Sequence, residues 1–341
     1  MSGIVVKGFG AVSPAGWGAE ALLNACRRGE SAPFKEVACP GYKNPLKARF
    51  VPVASPKSAF TAHPRLRRTS PIAQFAVGAA LEALGPDTPL IQNGARRLGI
   101  VYCSTSGCVN FSRRFYDETL KDASTASPVI FPETVFNAPS SHLGALLGSQ
   151  GINYTIVGDQ GTFLQGLALA ADWLEADRVE SCLVIGAEEL DWLIAEAFDL
   201  FHRNKPISEG AGALHLAKRA PGGPAVNLQA VTQPQFFSTR ADRRAAAERA
   251  RKELGPQAEG DLLCDGIQGV PRLDRDEQQA WSGWGGERWS PKALLGEGFM
   301  AGAAWQCVAA VAALSSGLCD NATVSVLGFN QQAIAARFGK S

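Results

Sequence analysis

The stretch Tyr154-Thr155-Ile156-Val157-Gly158-Asp159-Gln160-Gly161-Thr162 carries the pattern that decides the fold. Its first four residues are mostly β-branched or aromatic, which is typical of a strand, and Gly158 marks a turn. An apolar, Ala-rich stretch then continues to Ala176 and predicts a helix, and Cys182–Gly186 predicts a second short, buried strand. This strand–helix–strand order is typical of an α/β protein.

Strands and helices also alternate outside this stretch. Further strands are predicted at residues 4–6, 99–103, 212–217, 226–231, 262–264 and 323–328, and further helices at residues 19–28, 70–84, 240–254 and 299–314. The whole chain is therefore predicted to be α/β, and the two similar series indicate an internal duplication. We expect residues 1–215 to form the first half and residues 216–341 the second.

The composition excludes several classes of function. The 341 residues carry 33 Lys+Arg against 32 Asp+Glu, a net charge of +1, so the surface lacks the excess positive charge of a nucleic-acid-binding protein. Hydrophobic residues make up 46%, enough to bury a core. No apolar run reaches the roughly 18–20 residues that span a bilayer, and the first residues lack a signal-peptide pattern. We expect a cytoplasmic protein that binds neither nucleic acid nor membranes.

The cysteines and histidines predict no metal site and no cofactor. The eight cysteines form no CxxC pair and mostly lie in apolar strings, so buried free thiols are expected. The four histidines, at positions 63, 142, 202 and 215, do not lie at metal-ligand spacing from a cysteine pair. Gly8 and Gly10 follow a strand as in a dinucleotide-binding loop, but Ser13 stands where the third glycine is needed.

Seven strings resemble the β-ketoacyl synthase family and occur in the family's order. They lie at residues 5–16, 67–76, 137–142, 186–189, 208–213, 290–296 and 328–330, the last reading Gly328-Phe329-Asn330. The resemblance implies the thiolase fold, in which two βαβαβ-type halves form a five-layer α/β/α/β/α sandwich that is usually dimeric. The chain is shorter than a typical member between residues 217 and 265.

The resemblance also places the family's catalytic positions. Members hold the acyl group on a Cys at a helix N-terminus and use two His for decarboxylation and enolate stabilisation. Here Gln160 stands at the Cys position, and Asp265 and Glu297 stand at the two His positions, while Lys292 matches the family's lysine. A carboxamide forms no thioester, and two carboxylates would repel a malonyl group by roughly 1–4 kcal/mol each. The resemblance therefore implies that the condensing machinery is absent.

The same residues have plainer interpretations. Gln160 fits a buried polar residue hydrogen-bonded at a helix start, and Asp159 fits a helix cap. Lys292 and Glu297, five residues apart, fit a structural ion pair in the former pocket. The resemblance implies that Phe329 supports this pocket together with Lys292.

The helix after the turn at residues 104–107 offers a further candidate site. Phe111 and Phe115 share one helical face at i, i+4 spacing. In chain-length factors the corresponding helix lies by the dimer interface and borders the acyl tunnel. The resemblance therefore implies that Phe111, Phe115 and Phe131 limit chain extension or line the interface. Core packing is the plainer interpretation.

Gln at the nucleophile position occurs in two kinds of β-ketoacyl synthase relatives. One is the decarboxylating loading ketosynthase, which retains both His, and the other is the chain-length factor, a non-catalytic subunit. Because both His positions have changed, the resemblance favours a chain-length-factor type that pairs with an active ketosynthase and meets the acyl carrier protein through the complex. It would act in polyketide or fatty-acid-type elongation. The alternatives are a remodelled malonyl-thioester decarboxylase or thioester hydrolase, and a homodimeric acyl-binding protein.

Overall fold

The computed structural model describes residues 3–41, 45–54, 63–202, 205–220, 226–329 and 331–340. The strands are β1 (Ile4–Ser13), β2 (Gly16–Trp17), β3 (Lys35–Val37), β4 (Leu46–Arg49), β5 (Leu98–Ser104), β6 (Asn153–Val157), β7 (Ser181–Glu188), β8 (Ile207–Ser208), β9 (Gly210–Lys218), β10 (Val226–Val231), β11 (Gln235–Phe236), β12 (Leu262–Cys264), β13 (Arg288–Trp289), β14 (Asn321–Leu327) and β15 (Gln332–Lys340). The α-helices are α1 (Ala19–Arg28), α2 (Pro71–Leu84), α3 (Thr88–Gln92), α4 (Val109–Lys121), α5 (Ala138–Leu147), α6 (Thr162–Glu175), α7 (Trp192–Phe201), α8 (Arg240–Leu254), α9 (Pro271–Ala280), α10 (Pro291–Leu295) and α11 (Phe299–Ser315).

The main sheet contains the same strand order twice. The first half reads β1-β9-β7-β5-β6 and the second reads β10-β15-β14-β12-β13. In each half the first two neighbouring pairs are antiparallel and the last two are parallel. The halves meet where β1 pairs with β10. The repeated order confirms the duplicated α/β architecture that the sequence predicted.

The boundary between the halves needs an adjustment. Strand β9 continues to Lys218, so the expected division after residue 215 falls inside it. The second half begins with β10 at Val226, and residues 221–225 lie outside the described part of the chain. We propose that the halves divide between Lys218 and Val226, because β9 is paired up to Lys218 with β1 and up to Ala217 with β7, which are strands of the first half.

Helices cover the sheet in layers. Helix α2 packs on the outer face of β1, β9 and β7, and helix α8 packs on β15 in the second half. Helices α6 and α11 lie between the halves, since each contacts strands of both. The arrangement is the five-layer α/β/α/β/α sandwich, and a further small sheet joins β3, β4 and β8.

Helix α11 shows how the sequence specifies the central layer. Residues 300–314 are all buried, and most are Ala, Val or another apolar residue. A helix that is apolar on every side must be covered on every side. The indole of Trp305 also donates to the carbonyls of Val12 (3.1 Å) and Ala211 (3.0 Å), which ties α11 to the first half.

The glycines near the N-terminus serve helix packing. A Cβ added to Gly8 would lie 2.1 Å from the carbonyl oxygen of Ala83, and one on Gly10 would lie 2.2 Å from that of Ala79. Both carbonyls belong to α2, so the glycines let this helix lie directly on β1. Among the helices of the described residues, none is long and apolar enough to cross a membrane.

Candidate functional site

The turn between β6 and α6 holds the first predicted site residue. Gln160 is 1% exposed, and its side-chain Oε1 and Nε2 have no hydrogen-bond partner among the described residues. The turn is tight, since a Cβ added to Gly158 would lie only 2.2 Å from the hydroxyl oxygen of Thr162. The predicted side-chain hydrogen bond of Gln160 is therefore not formed, although the residue is buried at the start of α6 as expected.

Asp159 stabilises the same turn. Its Oδ1 accepts from the backbone N–H of Gly161 (3.1 Å) and from Nε2 of Gln332 on β15 (2.7 Å). Gly161 itself precedes the first residue of α6, so Asp159 bonds to the capping residue and is not the cap. Burial raises the pKa of Asp159, and the positive charge of Lys292 opposes that rise.

Lys292 and Glu297 form a buried ion pair. The Nζ of Lys292 lies 3.2 Å from Oε2 of Glu297, and both side chains are at most 3% exposed. The other carboxylate oxygen, Oε1, accepts from the backbone N–H of Phe299 at 2.6 Å. Both carboxylate oxygens of Glu297 are thus bound, one to Lys292 and the other to the start of α11.

Asp265 follows β12 and is also fully buried. Its Oδ1 accepts from the hydroxyl of Ser290 (2.6 Å), and its Oδ2 lies 3.3 Å from Nε of Arg288. Burial raises its pKa, and the charge of Arg288 partly offsets this. The residue therefore has partners that a malonyl carboxylate would have to displace.

Glu277 is a neighbour of Asp265 that the sequence reasoning missed. Its Oε1 accepts from Gly266 N–H (3.1 Å) and from the hydroxyl of Ser325 (2.6 Å). Burial, and then the charge of Asp265, raise the pKa of Glu277 to about 7. In the sequence, Glu277 is one of several charged residues in the amphipathic helix α9. Such a pattern also fits a helix whose charged side chains all face solvent, so it does not single out Glu277.

The charge of Lys292 links these positions. Its ammonium group pairs with Glu297 and also opposes the rise that burial causes in the pKa of Asp159 and of Glu277. We call Gln160, Asp265, Glu297 and Lys292 the vacated cluster. All four side chains are at most 3% exposed, and the effect of Lys292 on Asp159 places its charge near the turn before α6.

The cysteines of the described residues are poorly suited to act as nucleophiles near neutral pH. Burial raises the pKa of every cysteine, to about 12 for Cys26 and about 11 for Cys319, so their thiolates are disfavoured near neutral pH. His142 bonds to Glu133, and His215 lies on β9 beside Asp87. Neither histidine belongs to the vacated cluster.

The aromatic candidates lie elsewhere. Phe111 and Phe115 are half-buried on α4, and the Phe115 ring lies 5.4 Å from that of Phe131, which is 56% exposed. Phe329 lines a cavity together with Phe299 and is therefore separate from these three. Asn330, the last residue of its motif, lies outside the described residues.

Apolar side chains are exposed around β6, which is the edge strand of the main sheet. We call them the open-edge surface: Tyr116, Leu120, Val129, Phe131, Val135, Phe136, Tyr154 and Val157 are each 41–69% exposed. Their segments touch one another, since Ser112 donates to the carbonyl of Thr134 and Asn153 donates to that of Ser140. An open sheet edge flanked by exposed apolar side chains is a surface suited to a protein partner.

Three buried carboxyls predict the pH dependence of stability. Burial raises the pKa of Glu188, Glu209 and Glu277 to about 7, from an ordinary value of 4.5. Each carboxyl holds its proton more tightly in the folded state than in the unfolded state. Its contribution to the free energy of unfolding is therefore fully present below pH 4.5 and is lost as the pH rises through 7. Between pH 6.5 and 8.5 we expect the free energy of unfolding to fall by about 1 kcal/mol per carboxyl, measured by urea denaturation.

The variant Glu277→Gln should reduce this fall by one carboxyl's share. The chosen window avoids His215, whose pKa burial lowers to about 4, because its effect on stability is confined to lower pH. A pH dependence unchanged in Glu277→Gln would contradict the assignment.

Solved structures share this fold over the full chain. The ishigamide ketosynthase/chain length factor matches with a TM-score of 0.80 at 20% identity, covering 99% of each chain. The ketosynthase ApeO in complex with its chain length factor ApeC, from Xenorhabdus doucetiae, matches with a TM-score of 0.79 at 14% identity, covering 99% of this chain and 98% of the other. A type II polyketide synthase acyl-carrier protein in complex with its ketosynthase, AntDE:AntF, matches with a TM-score of 0.77 at 17% identity, covering 98% of each chain.

Comparisons at the level of sequence found no match. No family model and no curated protein sequence matches the chain. At these identities the structural matches show the fold alone. They confirm, at that level, the resemblance to ketosynthases that the seven strings indicated.

Proposed function

We propose that this chain has a non-catalytic, chain-length-factor role. It has the fold of ketosynthases and chain length factors, but the resemblance places no Cys and no His at the three positions used for condensation. It pairs with an active ketosynthase, and the pair extends a polyketide or fatty-acid-type chain on an acyl carrier protein. The observation that carries this proposal is Gln160, whose amide occupies the start of α6 where a thiolate is required.

The neighbouring carboxylates support a role without condensation. Glu297 is bound to Lys292 and to the Phe299 N–H, and Asp265 is bound to Ser290 and Arg288. A malonyl carboxylate brought to this place would have to break those bonds and would meet two like charges. A remodelled decarboxylase is therefore disfavoured.

The open-edge surface supports pairing with another chain. Strand β6 pairs only with β5 within the described sheet, so its outer edge offers free backbone groups beside Tyr154 and Val157. Obligate interfaces are large and apolar. The eight exposed side chains around this edge meet that description, and two of the matched structures are named as a ketosynthase with a chain length factor.

The proposed setting is the cytoplasm. The eight cysteines are all free, and seven of them are buried. Proteins in reducing compartments keep their thiols in this state, whereas exported proteins commonly form disulfides.

Co-purification and reconstitution test the proposed function. We expect the chain and a ketosynthase encoded beside it to form a 1:1 heterodimer in native mass spectrometry. Chain elongation should need both proteins and should survive Gln160→Ala in this chain. The control is a Cys→Ala change at the ketosynthase nucleophile, which should abolish elongation.

Two outcomes would contradict this proposal. A homodimer that ignores the ketosynthase would favour the acyl-binding alternative. Thioester turnover by the isolated chain, lost in Glu297→Gln, would favour the hydrolase or decarboxylase alternative.

We also propose that Phe111, Phe115 and Phe131 bound the acyl tunnel of the complex. The Phe115 ring packs against Phe131 at 5.4 Å beside the open-edge surface. Phe115→Ala should therefore lengthen the product by opening space at this wall, as read by mass spectrometry of the chains released from the carrier protein. Leu318→Ala, which changes a 42% exposed leucine just before β14 in the second half, is the control. An intact complex with unchanged product length would contradict the role of Phe115.

A further inference from the structure

The described residues enclose a cavity of about 540 Å³ that contains no member of the vacated cluster. Six of its sixteen lining residues are aromatic, and several of these rings contact one another. Phe198 lies 5.9 Å from Phe299 and 6.1 Å from Phe329, while His202 stacks on Phe329 at 5.2 Å. We call this space the aromatic cavity. An apolar cavity of this size with a few polar groups is typical of a small-molecule site.

Two phenylalanines separate the aromatic cavity from the vacated cluster. The ring of Phe299 lines the cavity, and its backbone N–H bonds to Oε1 of Glu297. The ring of Phe329 lines it as well, and the preceding Gly328 is so close to Asp159 that a Cβ would lie 2.1 Å from Oδ2. Each residue therefore has its ring on the cavity side and its backbone on the cluster side.

Glu297 holds Phe299 in place. Phe299 has a φ of +44°, a left-handed conformation that is strained for a residue other than glycine. The 2.6 Å hydrogen bond to Glu297 fixes this conformation, and Lys292 fixes Glu297 in turn. At a former catalytic position, the carboxylate thus supports the wall of the aromatic cavity.

The mouth of the aromatic cavity is positively charged. Arg240 at the start of α8 and Arg272 at the start of α9 both line it, and neither forms an ion pair with a carboxylate of the described residues. The backbone N–H groups of both helix starts add partial positive charge, although Asp242 bonds to Thr239 at the first of them. Burial, and then the charges of Arg272 and Arg243, lower the pKa of His202.

We propose that the aromatic cavity is a blind binding site for an anionic amphipath. The apolar chain of the ligand packs against the phenylalanine rings, and its phosphate or carboxylate head lies at Arg240 and Arg272. The Phe299 wall stops the chain short of position 160, so the ligand is held without reaction. This site does not depend on the proposed pairing, and its test uses the isolated chain.

Calorimetric titration of the full-length chain with octyl phosphate, octanoate and 1-octanol tests the head-group site. We expect both anions to bind at least about tenfold more tightly than the alcohol, since hydrogen bonds to charged groups are strong. Arg240→Glu with Arg272→Glu should remove this preference. Arg244→Glu, on the same helix but outside the cavity lining, is the control and should not change it.

The titration also distinguishes the two possible head groups. Tighter binding of octyl phosphate indicates a phosphorylated ligand, and tighter binding of octanoate indicates a free acid. Equal binding of the alcohol, or no binding of any probe, would overturn the proposal.

A reporter cysteine tests the wall independently. In Gln160→Cys the new thiol should resist alkylation by N-ethylmaleimide while Phe299 is intact, and Phe299→Ala added to it should raise the labelling rate at least about tenfold. Peptide mass spectrometry separates this site from the native cysteines, of which Cys319 is partly exposed. Fast labelling with Phe299 intact would show an open passage and overturn the blind site.

Discussion

Replacing Lys292 with Met is expected to lower the free energy of unfolding by about 3–5 kcal/mol, because it leaves Glu297 buried without its counter-charge. Both side chains are at most 3% exposed, so water cannot take over the lost interaction. Asp159 and Glu277 would also lose a compensating positive charge. Guanidinium denaturation followed by circular dichroism would measure the change.

The matched control is Lys218→Met, which removes an exposed ion pair with Asp177. Its side chains are 46% and 82% exposed, so we expect a loss of no more than about 1 kcal/mol. The double variant Lys292→Met/Glu297→Leu should recover much of the loss, because it removes both charges. Equal effects of Lys292→Met and Lys218→Met would show that the buried pair contributes no special stability.

Two charges on the open-edge surface are expected to abolish assembly. Val129 and Val157 are 69% and 50% exposed, and in the proposed complex both are covered by the ketosynthase. Val129→Glu with Val157→Glu would bury two unpaired carboxylates, which should weaken the heterodimer by about 100-fold or more. Native mass spectrometry and sedimentation velocity would measure this, and product formation should fall with it.

The control for this surface is Leu318→Glu. Leu318 is 42% exposed but precedes β14 in the second half, away from β6. It should leave both the heterodimer and the product unchanged. If the Val129/Val157 variant is folded and still pairs, the partner does not bind at the open edge of β6.

Several features of the site could be predicted from the sequence because they depend on local order. Gln160 lies at a strand-to-helix turn, and the pattern of strand, glycine and apolar helix located that turn correctly. The ion pair of Lys292 with Glu297 was foreseen from their spacing and the surrounding apolar residues. The glycines at positions 8 and 10 were ambiguous, because their function depends on how closely α2 packs on β1.

Other features arise from contacts between distant segments. Glu277 reaches Asp265 only because α9 packs beside β12 and β14, so no spacing rule predicts the pair. Gln332 meets Asp159 from across the duplication, 173 residues away. The cavity wall of Phe299 and Phe329 likewise joins the start of α11 to the turn between β14 and β15.

The sequence by itself determined the α/β class, the duplication and the residue types at positions 160, 265 and 297, because these follow from residue identity and from hydrophobic periodicity. Only the tertiary structure decided the partners of the vacated positions, the separation of the cavity from position 160 and the exposure of the β6 edge. These depend on packing between distant segments and on desolvation. Burial raises the pKa of Asp159 and of Glu277, the charge of Lys292 opposes both rises, and neither effect can be read from local order.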